Sequence, residues 1–187
     1  MTRPKSRKRD RAETGHDLAR LWAPWRSAYV RGASGPRTQE CIFCFVRMGE
    51  AAKRRRLVLH AGPDALVMLN RYPYNNGHLM IAPRRHVASP ELLEPRERAV
   101  TAELIAATVT RLREAMRPDG INVGANLGRV AGAGFADHMH WHLVPRWAGD
   151  TNFMAAVAGT RVLSESLEES YDLLKPLFND IGAAITC

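Results

Sequence analysis

Three histidines alternate with apolar residues in the stretch His138-Met-His-Trp-His-Leu-Val-Pro-Arg-Trp147. An alternation of period two is typical of a β-strand, on which residues i, i+2 and i+4 point to one face. His138, His140 and His142 would then share one face, with roughly 6.5–7 Å between successive imidazoles. The apolar residues between them would pack behind: Met139, Trp141 and Leu143. Because buried imidazoles need polar partners, the row indicates a chemical site, with adventitious metal binding as the alternative.

Four further strands are predicted upstream of this row, at Leu57–His60, Ala65–Leu69, His78–Ala82 and Ile121–Asn126. The turn Ala61-Gly-Pro-Asp64 between the first two is a hairpin signal. Strands joined by such short connections favour an antiparallel sheet. We therefore expect an α+β fold with one five-stranded antiparallel sheet.

Two helices complete the expected fold. The first should start at Ser89 and Pro90, since Ser is favoured at the N-cap and Pro at the first helical position, and should end near Met116. The second is an amphipathic helix from about Ser164 to Phe178. The segment 49–56, which includes a run of four basic residues, is expected to be a solvated loop.

Composition limits the class of protein. The 187 residues, of which 45% are hydrophobic, suffice for one domain with a core. There is no run of 18 apolar residues and no apolar signal segment, so neither a membrane span nor secretion is expected. Three cysteines do not make a disulfide framework and suit a reducing compartment, so the expected location is the cytoplasm.

Most of the net charge of +8 lies at the N-terminus, where residues 1–11 carry six basic side chains and one acidic one. Residues 1–16 are therefore expected to form a disordered arm, with contact to nucleic acid as the alternative. Residues 17–40 would be an extension packed on the domain, residues 41–154 the main domain, and residues 155–187 a C-terminal helix and tail.

The histidine row suits phosphoryl chemistry, in which one imidazole attacks phosphorus and its neighbours assist by hydrogen bonding and proton transfer. The loop Gly132-Ala-Gly134 precedes the row and offers backbone N–H groups to phosphate oxygens. Asn126 would add a side-chain donor, or alternatively stabilise a turn.

A pair of cysteines, Cys41-Ile-Phe-Cys44, supplies half of a tetrahedral zinc site. No second such pair exists, so histidines would complete the site, and the candidates are His60, His78, His86 and His138. We expect His78 to orient a loop backbone rather than to bind metal. Two unliganded thiols or a redox pair are the alternatives.

The alternating histidines followed by Leu143 and Val144 resemble the signature of the histidine triad superfamily. Supporting motifs follow the superfamily's order: Cys41-Ile-Phe-Cys44, Leu69-Asn-Arg-Tyr-Pro-Tyr-Asn-Asn-Gly-His78, Pro83-Arg-Arg-His86 and Asn122-Val-Gly-Ala-Asn126. Two flanking segments resemble the branch that includes bacterial diadenosine tetraphosphate phosphorylases: Leu21-Trp-Ala-Pro-Trp-Arg26 and Pro145-Arg-Trp-Ala-Gly-Asp-Thr-Asn-Phe153.

The resemblance implies an enzyme that cleaves at the α-phosphate of a dinucleoside polyphosphate or an adenosine phosphoramidate. His140 would be the nucleophile that becomes nucleotidylated, with His142 at the phosphate or leaving group and His138 beside them. The residues implied to bind the adenine-type nucleotide are Asn70, at a ribose-binding position, and Asn126, Gly132 and Gly134. One departure is that the loop reads Ala133-Gly-Phe-Ala136, where many members carry Gln-Ser or Gln-Thr near the leaving group.

The resemblance also implies a structural zinc ion on Cys41, Cys44, His86 and His138, and a homodimer that joins two sheets into one of ten strands. Two rival functions stay open at this point. One is a non-catalytic nucleotide-binding or zinc-stabilised interaction module whose basic arm contacts nucleic acid. The other is metal storage, with His140 and His142 as additional ligands.

Overall fold

A computed structural model describes residues 41–45, 48–150 and 165–181. The expected arm at 1–16, the extension at 17–40 and the tail beyond residue 181 lie outside the described residues. The strands are β1 Val58–Ala61, β2 Ala65–Leu69, β3 Leu79–Pro83, β4 Gly120–Ala125 and β5 Trp141–Arg146. The helices are α1 Glu50–Arg55, α2 Pro95–Met116 and α3 Leu167–Leu174.

The five strands form one antiparallel sheet in the order β1-β2-β3-β5-β4, which confirms the predicted fold class. The hairpin between β1 and β2 is also confirmed, with Ala61 opposite Leu66. β5 lies inside the sheet, where His142 is paired with Met80 of β3 on one side and Gly124 of β4 on the other. The last part of the histidine stretch is therefore held by hydrogen bonds from both neighbours.

The two faces of the sheet bury different sets of residues. On the helical face, Val67 and Leu69 of β2 pack with Leu104 and Leu112 of α2. On the opposite face, Met68 packs with Phe43, from the segment that carries the two cysteines. The sheet therefore separates the helical layer from a surface covered by the segment 41–45 and the loop before β5.

The long helix begins later in the chain than the sequence predicted. Pro90–Leu92 forms one turn of 3₁₀ helix, and the α-helix begins at Pro95. The residue before a proline is disfavoured in the α-region, and Glu94 accordingly has extended ψ of 154°. The Glu94 N–H donates to the Glu97 carboxylate at 2.7 Å, which caps the new start.

The basic segment expected as a loop contains helix α1, because its Glu-Ala-Ala-Lys-Arg-Arg sequence consists of strong helix formers. At the other end of the chain, α3 begins at Leu167 after Ser166, whose hydroxyl accepts a hydrogen bond from the Glu169 N–H at 3.1 Å. It becomes 3₁₀ at Lys175–Phe178, so the predicted second helix is shorter and of two kinds. None of the described helices combines the length and apolar character that a membrane crossing requires.

The histidine row is not strand throughout, which corrects the prediction for this stretch. β5 begins at Trp141, so only His142 belongs to it, and His138 and His140 precede it. The Met139 N–H instead donates to the carbonyl of Val87 at 2.7 Å, because the chain of β3 has already turned away at Pro83. Met139 packs with Val87 and Leu93, away from the imidazoles.

Candidate active site and metal centre

The ring of His138 is fixed by the end of β3. Its Nε2 lies 2.9 Å from the carbonyl oxygen of Pro83, so Nε2 carries the hydrogen and donates. Its Nδ1 then has a free electron pair, and it lies 3.2 Å from the Cys41 sulfur and 3.4 Å from the Cys44 sulfur. Burial lowers the pKa of His138 to about 4, so the ring is neutral at pH 7.

His140 is oriented by its own backbone. Its Nδ1 lies 3.0 Å from the carbonyl oxygen of His138 and must donate to it. The hydrogen is therefore on Nδ1 of the neutral ring, and Nε2 keeps a lone pair for attack on an electrophile. The ring is only 4% exposed and packs 4.8 Å from the centre of Phe43. Burial lowers the pKa of His140, which keeps it in this neutral form.

His142 is oriented by a second histidine, His78, which is fully buried. The Tyr74 N–H donates to Nδ1 of His78 at 3.0 Å, so the His78 hydrogen is on Nε2. That Nε2 lies 2.9 Å from Nδ1 of His142 and donates to it. The hydrogen of neutral His142 is therefore on Nε2, the opposite arrangement to His140.

The rings of His140 and His142 are adjacent, with their centres 4.9 Å apart. Burial, followed by the proximity of His140, lowers the pKa of His142 to about 4. At pH 7 the pair thus presents one nitrogen with a lone pair and one N–H donor. A lone pair that attacks beside a donor that supplies a proton is what acyl or phosphoryl transfer to an imidazole requires.

Cys41, Cys44, His86 and His138 converge beside this pair. Their ligand atoms all lie within 4.8 Å of one another, and the Cys44 sulfur is 3.1 Å from Nδ1 of His86. These four residues could hold a metal ion, and they are the four that the resemblance implied. Among the described residues, His60 and His78 are not part of this group.

The predicted nucleotide-binding residues lie at the ends of strands around the row. Asn70 directly follows β2, where its Oδ1 accepts from the Tyr72 N–H at 2.9 Å and its Nδ2 lies 3.4 Å from Nδ1 of His78. Asn126 directly follows β4. Gly132 has φ of +90°, and a Cβ there would lie 3.6 Å from the Asn126 side-chain nitrogen. The loop that contains Gly132 and half-buried Gly134 therefore folds back over Asn126.

Phe135 lies at the end of this loop. Its ring lies 6.0 Å from that of Phe43, which in turn contacts His138 and His140. An aromatic contact thus joins the loop to the imidazoles. No hydroxyl or amide side chain stands at positions 133–136.

Three contributors were not recognised from the sequence as parts of the site: the His78 link to His142, the Phe43 contacts, and Asp150. The carboxylate of Asp150 accepts from both Arg146 (2.5 and 2.8 Å) and Asn75 (2.8 Å), which ties the end of β5 to the loop that carries Tyr74. Tyr74 covers the His78–His142 pair, with its ring centre 4.7 Å from that of His78. Local patterns do not reveal these contacts. The pairing of β3 with β5 brings His78 to His142, and the segment 41–45 brings Phe43 to the imidazoles.

Comparison with known proteins agrees with the geometry. The HIT domain family matches residues 52–149. The AP-4-A phosphorylase of Mycobacterium tuberculosis is 38% identical over 164 residues, which are 84% of this chain and 83% of the relative. The adenosine 5'-monophosphoramidase of Schizosaccharomyces pombe is 31% identical over 108 residues, 57% of this chain and 74% of the relative.

A solved structure of a Zn-bound histidine triad family protein from Mycobacterium smegmatis has a TM-score of 0.54 and 26% identity, over 68% of this chain and 87% of its own. The sequence match, the shared fold and the ordered histidines agree with one another. The chain belongs to the HIT domain family.

Proposed function

We propose that this protein is a nucleotidyl hydrolase or transferase that forms a covalent intermediate on His140. The observation that carries the proposal is the hydrogen bond from His140 Nδ1 to the His138 carbonyl, which leaves Nε2 as the attacking atom. The relatives named AP-4-A phosphorylase and adenosine 5'-monophosphoramidase support an adenine nucleotide as substrate. Family membership makes an enzyme of this class the expected activity.

In the first step, Nε2 of His140 forms a bond to the α-phosphorus while the bond from phosphorus to the leaving group breaks. The leaving group takes up a proton, and the Nε2–H of His142 is the donor that His78 orients for it. The carbonyl of His138 holds the Nδ1–H of the nucleotidylated ring and stabilises its positive charge. In the second step, water or phosphate attacks the same phosphorus and releases His140.

Nucleotide contacts are assigned to Asn70, Asn126, Gly132 and Gly134. The Oδ1 and Nδ2 atoms of Asn70 each make one intramolecular hydrogen bond, which leaves a second lone pair and a second N–H for ribose hydroxyls. The positive φ of Gly132 permits the tight backbone approach that a phosphate requires.

The four-residue cluster fits zinc. Tetrahedral bonds of zinc to sulfur and nitrogen place these atoms about 3.6 Å apart. Three sulfur–nitrogen separations in the cluster are 3.1 to 3.4 Å, and all four ligand atoms lie within 4.8 Å of one another. Nδ1 of His138 has its lone pair available because Nε2 is engaged by Pro83. With all four positions filled by protein, the ion would supply a structural crosslink rather than a reactive water.

Dimerisation and location are proposals as well. β4 is an edge strand with Val123 47% exposed, and such an edge is suited to pairing with a second copy of the chain. A homodimer with a continuous sheet would cover it. Reduced cysteines as metal ligands fit the cytoplasm.

The test is mass spectrometry of the products after brief incubation with diadenosine tetraphosphate or an adenosine phosphoramidate, with and without phosphate. AMP without phosphate would indicate a hydrolase, and ADP that appears only with phosphate would indicate a phosphorylase. The similarity to the AP-4-A phosphorylase of M. tuberculosis favours the second outcome. His140→Ala is expected to abolish both, and His60→Ala, a change at a histidine outside the row, serves as the control.

The intact mass of the wild-type protein should also increase by that of one adenylyl group, and the mass of His140→Ala should not change. Equal inertness of wild type and His140→Ala towards both substrates would contradict catalysis. Nucleotide affinity without turnover would then support the binding module, and uptake of more than one metal per chain would support metal storage.

A further inference from the structure

The helical face of the sheet carries a cleft that the proposed reaction does not use. It has a volume of about 280 Å³ and lies where the end of α1, the start of α3 and the residue after Asn70 meet. Leu57 and Tyr171 form its floor, and both belong to the hydrophobic cluster on the side of α2. The imidazoles contact Phe43 on the other face. The cleft is therefore separate from the candidate active site.

Three arginines surround the cleft: Arg54, Arg55 and Arg71. The one carboxylate in its lining is Glu168, so the lining has three positive charges and one negative charge, a net charge of +2. Arg54 is paired with Asp172, at 2.5 and 2.8 Å. In the described part of the chain, neither Arg55 nor Arg71 forms an ion pair with an acidic side chain.

Two of these guanidinium groups are held in place before any ligand arrives. The bidentate pair with Asp172 fixes Arg54, whose Cζ lies 5.2 Å from the centre of the Tyr171 ring. Arg71 donates from Nη2 to the carbonyl of Arg55 at 2.9 Å. Preorganised donors lose less entropy when they bind an anion than mobile surface arginines do.

The backbone between α1 and β1 is strained at this point. Leu57 is buried and has φ of +62°, a region that side chains other than glycine rarely adopt. Such strain persists only where surrounding contacts enforce it, and it is concentrated at functional sites. Leu57 lines the cleft and joins α1, which carries Arg54 and Arg55, to β1.

We propose that this cleft binds a small phosphate-type oxyanion, either inorganic phosphate or pyrophosphate. Guanidinium forks match the oxygen geometry of phosphate, and Arg55 and Arg71, which have no acidic partner in the described part of the chain, keep the lining positive. The volume of about 280 Å³ is at the lower end of the range for small-ligand pockets, which suits a small anion.

The test is titration calorimetry of the full chain with inorganic phosphate and, separately, with pyrophosphate at low salt. The double variant Arg55→Gln/Arg71→Gln should raise the Kd about tenfold or more, since each change removes a charge-assisted hydrogen bond. Glu168→Gln should lower the Kd, because it removes the repelling carboxylate. Arg113→Gln, which removes one positive charge at an exposed position of α2 away from the cleft, should leave the Kd unchanged.

The outcomes separate clearly. Tight binding of either anion that depends on Arg55 and Arg71 supports the site, and the two titrations show which anion it prefers. Binding that is equal in wild type and double variant would assign the anion to the catalytic face and overturn the proposal. The same holds if wild type binds neither anion, or if Arg113→Gln weakens binding as much as the double variant. Circular dichroism verifies that each variant is folded.

Discussion

The Nδ1 atom of His140 lies 3.0 Å from the carbonyl oxygen of His138, whose own ring faces the sulfur atoms of Cys41 and Cys44. One residue therefore takes part in two sites, with its side chain in the candidate metal centre and its carbonyl on the proposed nucleophile. Any change that releases the ring of His138 should also loosen the alignment of His140. Stability and catalysis are thus expected to depend on the metal together.

The first prediction concerns removal of the proposed zinc ion. Dialysis against a chelator should lower the free energy of unfolding by about 3–4 kcal/mol, and the Tm by about 10 °C. It should also lower kcat more than it raises KM, because the nucleophile is mispositioned while nucleotide contacts remain. Differential scanning fluorimetry and steady-state kinetics measure both, and added zinc should restore them. An unchanged Tm after verified metal loss would contradict a structural role.

The second prediction concerns His78. In His78→Phe the donor to His142 is lost, and His142 can place its hydrogen on Nδ1, where it no longer serves the leaving group. We expect kcat/KM to fall by about 10²-fold. The loss should be larger for phosphoramidate substrates, whose basic amine leaving group requires a proton, than for dinucleoside polyphosphates, whose leaving group is a stable phosphate anion.

The control for this variant is His60→Phe, which changes a histidine outside the row. Thermal unfolding must be measured for both, since His78 is fully buried. A His78→Phe variant that is folded and retains full kcat/KM for every substrate would show that His142 does not depend on His78.

The fold and part of the site were accessible from the sequence because their signals are local. Short apolar runs and turn signals located the five strands, and the spacing of Cys41 and Cys44 indicated half of a metal site. The resemblance implied His86 and His138 as the remaining two members of that cluster. The role of His78 was not accessible, because it depends on the contact with His142 across 64 positions. The contacts of Phe43 with His138 and His140 likewise exist only once the segment 41–45 lies across the sheet.

Element ends were wrong where backbone chemistry competed with the pattern. Alternation of side chains suggested that the strand began at His138, but hydrogen bonding with β3 begins only at Trp141. The Ser89-Pro90 pair has the composition of a helix start, yet Pro95 forces a second start because it restricts Glu94. Dimerisation through β4 and the limits of the predicted domain stay predictions.

The third prediction is a pH dependence of stability. Burial, together with nearby Lys175, lowers the pKa of His60 from its ordinary value of 6.5 to about 4, and burial does the same for His142. Between these values the unfolded chain binds protons that the folded chain does not, so the free energy of unfolding falls as pH falls from 6.5 to 4. The stability contributed by these neutral histidines is fully present above pH 6.5.

Urea unfolding at several pH values measures this slope, which should approach about 1.4 kcal/mol per pH unit for each such histidine. His60→Gln should reduce this slope between pH 4.5 and 6 by up to about 1.4 kcal/mol per pH unit, the value for one proton. A slope that is identical in His60→Gln and wild type would show that His60 titrates normally in the folded protein.

The fourth prediction concerns Gly132 in the loop before the row. Gly132→Ala forces a side chain into φ of +90° beside the Asn126 amide, which costs about 1–2 kcal/mol and shifts the loop. We expect kcat/KM to fall about tenfold with little change in Tm, because the strain is relieved by displacement of a surface loop rather than of the core. Gly49→Ala is the matched control, since its φ is −68° and a Cβ there meets no atom within 4 Å. If Gly132→Ala loses no more activity than Gly49→Ala, the loop does not approach the phosphate closely, and substrate binding must rely on Asn70 and the histidines alone.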